Sequence, residues 1–275
     1  PIKYKVLGYE ISLRRQEAEM IEVISEEEAK ELAEKTVYHE GLPEDLSVKE
    51  EDMKRLALGK RRTINVALVG NPNSGKTTMY NALTGRNERV GNWAGVTVER
   101  KESLIKKAYY DGAEELVAVD LPGAYSMSPF TSEESITSSY VKNENPDVII
   151  NIVDATNLSR SLFFTTQLLE LGVPVVVALN KSDITEKKQT KIDEKLLSEK
   201  LGCPVVKTIS ASSRHEGLKE AVAAAAALKG KGQKAPYVQD DIDLKDKDAV
   251  EAADRKRFAF VNSLVKQVEK RKVFT

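Results

Sequence analysis

The chain has 275 residues, 41% of them hydrophobic and 31% charged, and its 42 Lys+Arg against 43 Asp+Glu leave a formal net charge of −1. At roughly 150 residues per domain there is room for one full core and something smaller, and the apolar content excludes disorder throughout. The charge balance gives no global basic field to hold nucleic acid, and the single cysteine, Cys203, rules out an internal disulfide and suits a reducing compartment. His39 and His215 stand in unrelated contexts without a Cys or His cluster, so no His/Cys metal centre is expected. No run approaches about twenty uninterrupted apolar residues, and no charged-then-apolar leader opens the chain. It begins at Pro1 rather than Met, which reads as a processed or excised piece.

Ser25-Glu26-Glu27-Glu28 and Ser47-Val48-Lys49-Glu50 each read as a capping box opening a charged helix, with Leu42-Pro43 breaking the chain between them. From 64 to about 228, β-branched apolar runs (64–69, 115–119, 148–153, 173–179 and 205–209) alternate with helical patterns. This predicts an α/β fold with a mostly parallel sheet flanked by helices, and the unbroken apolar character fits strands covered on both faces. A further strand near 103–109, set off by the turn signal Asp111-Gly112, predicts one antiparallel edge. Residues 90–99 read as a loop, as do the Gly-, Lys- and Asp-rich residues 229–248. Residues 249–273 resume a helical period with Phe258, Val261, Leu264, Val265 and Val268 along one face. The acidic groups at 26–28 and 240–248 and the basic run 266–272 read as solvated faces.

The chemistry concentrates in the central part. Gly70-Asn71-Pro72-Asn73-Ser74-Gly75-Lys76-Thr77 fits G-x-x-x-x-G-K-[ST] after an apolar strand and before a helix. Its glycines let backbone N–H groups wrap phosphates, the helix N-terminus adds positive potential, the Lys76 ammonium reaches the β and γ oxygens, and Thr77 offers a hydroxyl to Mg²⁺. Asn180-Lys181-Ser182-Asp183 follows the 173–179 strand, where doubly wound sheets bind ligands. The Asp183 carboxylate is able to accept from the guanine N1–H and amine, which adenine lacks, while Asn180 and Lys181 fix the loop and cover the base. Ser210-Ala211-Ser212 closes the next strand and presents a backbone N–H to the guanine O6.

Asp120-Leu121-Pro122-Gly123 fits D-x-x-G: Asp120 holds Mg²⁺ through water, and the Gly123 N–H meets the γ-phosphate. In the stretch Gly95-Val96-Thr97-Val98-Glu99, Thr97 is the candidate for the second hydroxyl on Mg²⁺. Lys76, Thr97 and Gly123 are thus the candidate catalytic groups. Ala124 stands where Ras-like proteins carry a glutamine that orients the attacking water, so slow intrinsic turnover is expected.

These residues together resemble one family, the cytosolic GTPase region of the ferrous iron transport protein B, FeoB. The resemblance rests on the phosphate loop continued by Thr78, on residues 90–99 with Gly91-Asn92-Trp93, on Asp120 to Ser126, and on Val153-Asp154-Ala155-Thr156-Asn157-Leu158. Residues 253–261 are similar to the last helix of the family's helical domain, which slows GDP release, although the joining segment is short for a complete domain of that kind. Residues 4–23 look like the closing strand, helix and strand of the small SH3-like partner FeoA, which implies a fused FeoA-like domain with an open sheet edge able to pair with another copy.

The resemblance implies a Ras-like P-loop GTPase using GTP and GDP with Mg²⁺. It also implies K⁺, because related GTPases use the asparagine at the position of Asn73 to help hold it. The implied division is a FeoA-like remnant at 1–24, a charged helical linker at 25–62, the GTPase at 63–229, and a helical segment at 230–275 leading to a transmembrane domain. The implied location is the cytoplasmic face of the bacterial inner membrane, with self-association left open. Two alternatives stay open: a guanine-nucleotide-sensing module of low turnover, which Ala124 favours, and a ribosome- or tRNA-associated GTPase, which the near-neutral charge and the Trp93 loop disfavour.

Overall fold

The computed structural model describes residues 2–6, 9–13, 63–85, 89–93, 98–127, 132–211, 213, 215–238, 242–243 and 245–271. The chain divides into two compact units, Pro1–Gly59 and Lys60–Thr275. In the first, β1 (Ile2–Val6) and β2 (Tyr9–Leu13) form an antiparallel pair with Ile2 opposite Leu13 and Val6 opposite Tyr9. The helix and second strand expected up to Val23, and the capping boxes at Ser25 and Ser47, lie outside the described residues.

The second unit is built on a seven-stranded sheet, in the order β10-β8-β7-β3-β6-β5-β4. Its centre is β3 (Thr63–Gly70), flanked in parallel by β6 (Glu115–Asp120) and β7 (Val148–Asp154), with β8 (Val175–Asn180) and β10 (Val205–Lys207) continuing outward from β7. Because strand side chains alternate between faces, one apolar run serves two cores. Ala67, Val69, Ile149, Val153, Val175 and Val177 face one way, packing with α2 (Ser132–Glu144), α3 (Leu158–Leu169), α5 (Glu194–Leu201) and α7 (Lys247–Val268). Ile64, Val66, Leu68, Ile150, Ile152, Val176 and Ala178 face the other way, against α1 (Lys76–Leu83) and α6 (Leu218–Leu228). Each fully buried Val, Leu or Ile side chain among them contributes about 1.5–3 kcal/mol. Cys203 lies in the first of these cores, where burial pushes its thiol up to about 12, so it is inert packing.

The antiparallel edge is present but shifted. It is β5 (Glu99–Leu104) rather than 103–109, with a turn beyond it, and the stretch expected to be all loop contributes β4 (Arg89–Asn92), antiparallel to β5. Neither strand has an apolar period: β4 is the exposed edge, where charged side chains suit a short strand, and β5, paired to β6 on one side and β4 on the other, is mostly half-buried. Arg100 there is bonded to both oxygens of Glu144 at the end of α2 (2.6 and 2.7 Å) and to Glu102 (3.3 Å).

The C-terminal helix also departs from expectation. It ends at Val268, and Glu269–Arg271 extend as β11, antiparallel to the short β9 (Thr190–Ile192) that follows α4 (Ser182–Lys187). Tertiary pairing here overrides the continuing helical period. Asp246 caps α7 by accepting from the N–H groups of Asp248 and Ala249. Val261, Leu264 and Val268 are buried as expected, but Phe258 is half exposed, stacked on Phe163 at 4.2 Å, and its neighbour Arg257 is buried instead. The Arg257 charge is met by both oxygens of Glu170 (2.7 and 3.1 Å) and by Asp254 (2.7 Å). Among the described residues no helix is long and apolar enough to cross a membrane.

Candidate functional site

The site forms where the parallel strands end. β3 stops at Gly70, the chain loops through residues 71–75, and α1 begins at Lys76. Asn73 adopts the left-handed region at φ 64°, a conformation that costs a side-chain-bearing residue and is retained where its surroundings over-determine it. Gly75, at φ 95°, has no room for anything larger: a Cβ there would lie 2.2 Å from Asn180 Nδ2. No side chain caps α1 and no acid stands in its first turn, so its N–H groups are open toward an anion. The Lys76 ammonium is ion-paired with Asp120 at the end of β6. Gly123 follows, so close to the loop that a Cβ would sit 3.1 Å from Pro72 N. Leu121 is buried in the core, its N–H donating to the Leu68 carbonyl (3.2 Å); the Ala124 methyl is likewise buried, and the Ala124 N–H donates to the Gly70 carbonyl (3.1 Å).

From the other side, β8 delivers Asn180 and Lys181 to the same loop. Asn180 Nδ2 donates to the Ser74 carbonyl (2.9 Å) and to Ser210 Oγ (2.9 Å), while its Oδ1 accepts from the Ser210 N–H and from Thr208 Oγ1. Lys181, itself left-handed at φ 63°, donates through Nζ to the Asn73 carbonyl (2.6 Å) and to Asp154 Oδ2 (2.7 Å). Two consecutive residues thus grip two consecutive carbonyls of the phosphate loop. Burial pushes the Asp154 carboxyl up, but the hydrogen bonds from Lys181 and Thr156 outweigh it and hold the group below the usual carboxylate range.

A cleft of about 560 Å³ results, bordered by Asn71, Pro72, Asn73, Gly75, Lys76, Thr77, Thr78, Gly123, Asn180, Lys181, Asp183, Ser210 and Ala211. Most of the residues singled out in the sequence are therefore together. Ser74 and Ser182 are adjacent but turned inward, Ser182 Oγ donating to the Leu179 carbonyl. Val98 and Glu99 stand away from the cleft, where β5 begins, and the Trp93 N–H donates to the Val98 carbonyl (2.9 Å). Gly95, Val96, Thr97 and Ser212 lie outside the described residues. Ile184, which borders the cleft, and Asp154, which anchors Lys181, were not among the candidate site residues. An apolar residue directly after Asp183 is the signal for the first; the second depends on the β7–β8 register, which sets Asp154 beside Asn180.

A loop of this sequence on the central strand, an acidic turn on the strand beside it and an Asn-Lys-Ser-Asp loop two strands away define the class: this is a P-loop GTPase fold. Residues 64–225 match the FeoB_N family, ferrous iron transport protein B, and the chain belongs to that family. It is 49% identical over 166 residues to the Fe(2+) transporter FeoB of Salmonella typhimurium and 48% identical to that of Escherichia coli. Each alignment takes in 58% of this chain and 21% of the relative, so the chain spans about a fifth of the length of these curated relatives. Among solved structures, a GDP-bound variant of S. thermophilus NFeoB is 33% identical with a TM-score of 0.64, over 75% of this chain and 100% of that one. The cytosolic domain of T. maritima FeoB in its GMPPNP form is 26% identical with a TM-score of 0.67, over 75% and 99%.

Proposed function

We propose that this chain is the GTP-binding and GTP-hydrolysing switch domain of a ferrous iron membrane transporter, working on the cytoplasmic face of the bacterial inner membrane. The observation that carries the reading is the double grip of Asn180 and Lys181 on the Ser74 and Asn73 carbonyls, which fixes the distance between a base-recognising loop and a phosphate-binding loop. The relatives' bound nucleotides, GDP and GMPPNP, support the same ligand class.

In this reading the N–H groups of the phosphate loop and the first turn of α1, with Lys76, Thr77 and Thr78, hold the phosphates. Asp183 accepts from the guanine N1–H and amine, with the Lys181 stem and Ile184 against the base and the Ala211 N–H at O6. The turn Asp120-Leu121-Pro122-Gly123 and the stretch Gly95-Val96-Thr97-Val98-Glu99 respond to the γ-phosphate. Among the described residues no group of three His, Cys, Asp or Glu side chains is placed to hold a metal by itself. The Asp120 carboxylate and the Thr77 hydroxyl, with the hydroxyl of Thr97, would hold a Mg²⁺ ion shared with substrate phosphates. A Mg²⁺ ion held by these groups would supply positive charge against that developing on the transferred phosphate. The Asn73 side chain supplies an amide oxygen for K⁺. Hydrolysis is slow, because no side chain at position 124 reaches the water.

We infer the remaining divisions from the sequence resemblance: a FeoA-like segment at 1–24, a linker at 25–62, the GTPase at 63–229, and 230–275 running toward the transmembrane domain as the principal partner. Asp183→Asn tests the assignment of the base loop. A carboxamide loses an acceptor for guanine but gains a donor for the 2-oxo group of xanthine, so GDP affinity falls by at least about a hundredfold while XDP binding appears. Unchanged GDP affinity in a titration calorimeter contradicts the assignment.

A further inference from the structure

The family-specific stretch that begins at Asp154 has no part in the phosphate, magnesium or base contacts assigned above, yet it is joined to them. Asp154 ends β7 in parallel register with Asn180, the first residue of the base loop. Its two carboxylate oxygens do different things. Oδ1 accepts from the N–H and the hydroxyl of Thr156 (2.9 and 2.6 Å), capping the short turn Ala155–Asn157, while Oδ2 is left for the Lys181 ammonium at 2.7 Å. The same ammonium reaches the Asn73 carbonyl at 2.6 Å. Lys181 and Asn73 both sit in the left-handed region, so the ammonium links two backbone positions that are unfavourable unless held. The contact is largely shielded: the Asp154 and Lys181 side chains are 16% and 28% exposed.

We propose that Asp154, with Thr156 locking its orientation, is a positioning residue for guanine-nucleotide retention, acting through Lys181 to hold the base loop against the phosphate loop. This rests on the guanine-nucleotide reading and adds to it a residue that touches no ligand. The physical argument is the asymmetry of a shielded ion pair. The Lys181 ammonium already spends one donor on a carbonyl, and the carboxylate fixes where the rest of the charge sits. Without the carboxylate, the ammonium is drawn to bulk water or to incoming phosphate oxygens, and the Lys181 stem leaves the base. The consequence falls on the lifetime of the bound nucleotide.

Asp154→Asn is the informative variant, because the amide oxygen still accepts from Thr156 and preserves the cap while the charge is removed. The experiment is a double-mutant cycle on the full chain, with Asp154→Asn, Lys181→Met and the pair, reading the release rate of a fluorescent GDP by stopped flow. Each single variant is expected to speed release about tenfold, and the pair to be no faster than the faster single, because both remove the same contact. Thr156→Val, which frees the carboxylate without neutralising it, is expected to speed release by a smaller factor and serves if Asp154→Asn fails to fold. Melting of the nucleotide-free proteins separates this role from scaffolding: a merely structural Asp154 lowers the melting temperature while the two release factors multiply. Multiplying factors, or release unchanged in Asp154→Asn or Thr156→Val, overturn the proposal. If the unaltered chain holds no GDP, it is the guanine-nucleotide reading that fails.

Discussion

Ala124 shows how the direction of a single side chain bears on the slow hydrolysis proposed above. Its methyl group is packed in the core and its N–H is bonded to the Gly70 carbonyl, so the direction of the side chain, not its chemistry alone, keeps position 124 out of the reaction. Ala124→Gln is therefore expected to fail as a gain of function. The larger side chain must enter packed space with an amide that finds no arranged partner, which costs about 1–3 kcal/mol. Urea denaturation is expected to show that loss, and single-turnover phosphate release to show no acceleration; a faster enzyme contradicts the side-chain direction described. The phosphate loop and the Asn-Lys-Ser-Asp loop are legible in the sequence because each motif is contiguous and its backbone demands are local: the positive φ of Gly75 favours glycine before any neighbour is considered. The role of Asp154 is not legible in that way, since it depends on which strand lies beside β7 and in what register.

At the scale of elements, the inner strands and the edges behave differently. β3, β7 and β8 are buried on both faces over most of their length, and their runs rich in Val, Ile and Leu announce them within a residue or two. β4, β5 and β11 are held by a neighbour and not by burial, and sequences such as Arg-Val-Gly-Asn or Glu-Lys-Arg carry no period that marks a strand. α7 combines both cases, with an apolar stripe readable in advance and a buried Arg257 that is not. Arg257→Ala is expected to destabilise the unit by about 2–4 kcal/mol, because it strands the shielded carboxylate of Glu170. Replacing both together, Arg257→Met with Glu170→Leu, is expected to recover much of the loss. Equilibrium unfolding distinguishes this from a free C-terminal helix, for which Arg257→Ala is neutral. β11 also ties the C-terminal end of α7 by backbone pairing to β9, the strand that follows α4.

For the molecule as a whole, the balanced charge and single cysteine restrict the class of protein, and the ends of the strands identify the site. The transporter, its iron and its membrane domain belong to the proposal, drawn from a family whose curated relatives are about five times as long as the match. The absence of a spanning helix among the described residues is compatible with that context without supporting it. The central claim is that the cleft formed by the three loops selects guanine nucleotides. Titration calorimetry of the unaltered chain with GDP and with ADP, in KCl and Mg²⁺, tests it most directly. GDP is expected to bind at least about a thousandfold more tightly, since adenine leaves the Asp183 carboxylate without its donors. Equal affinities, or no binding of GDP, contradict the account.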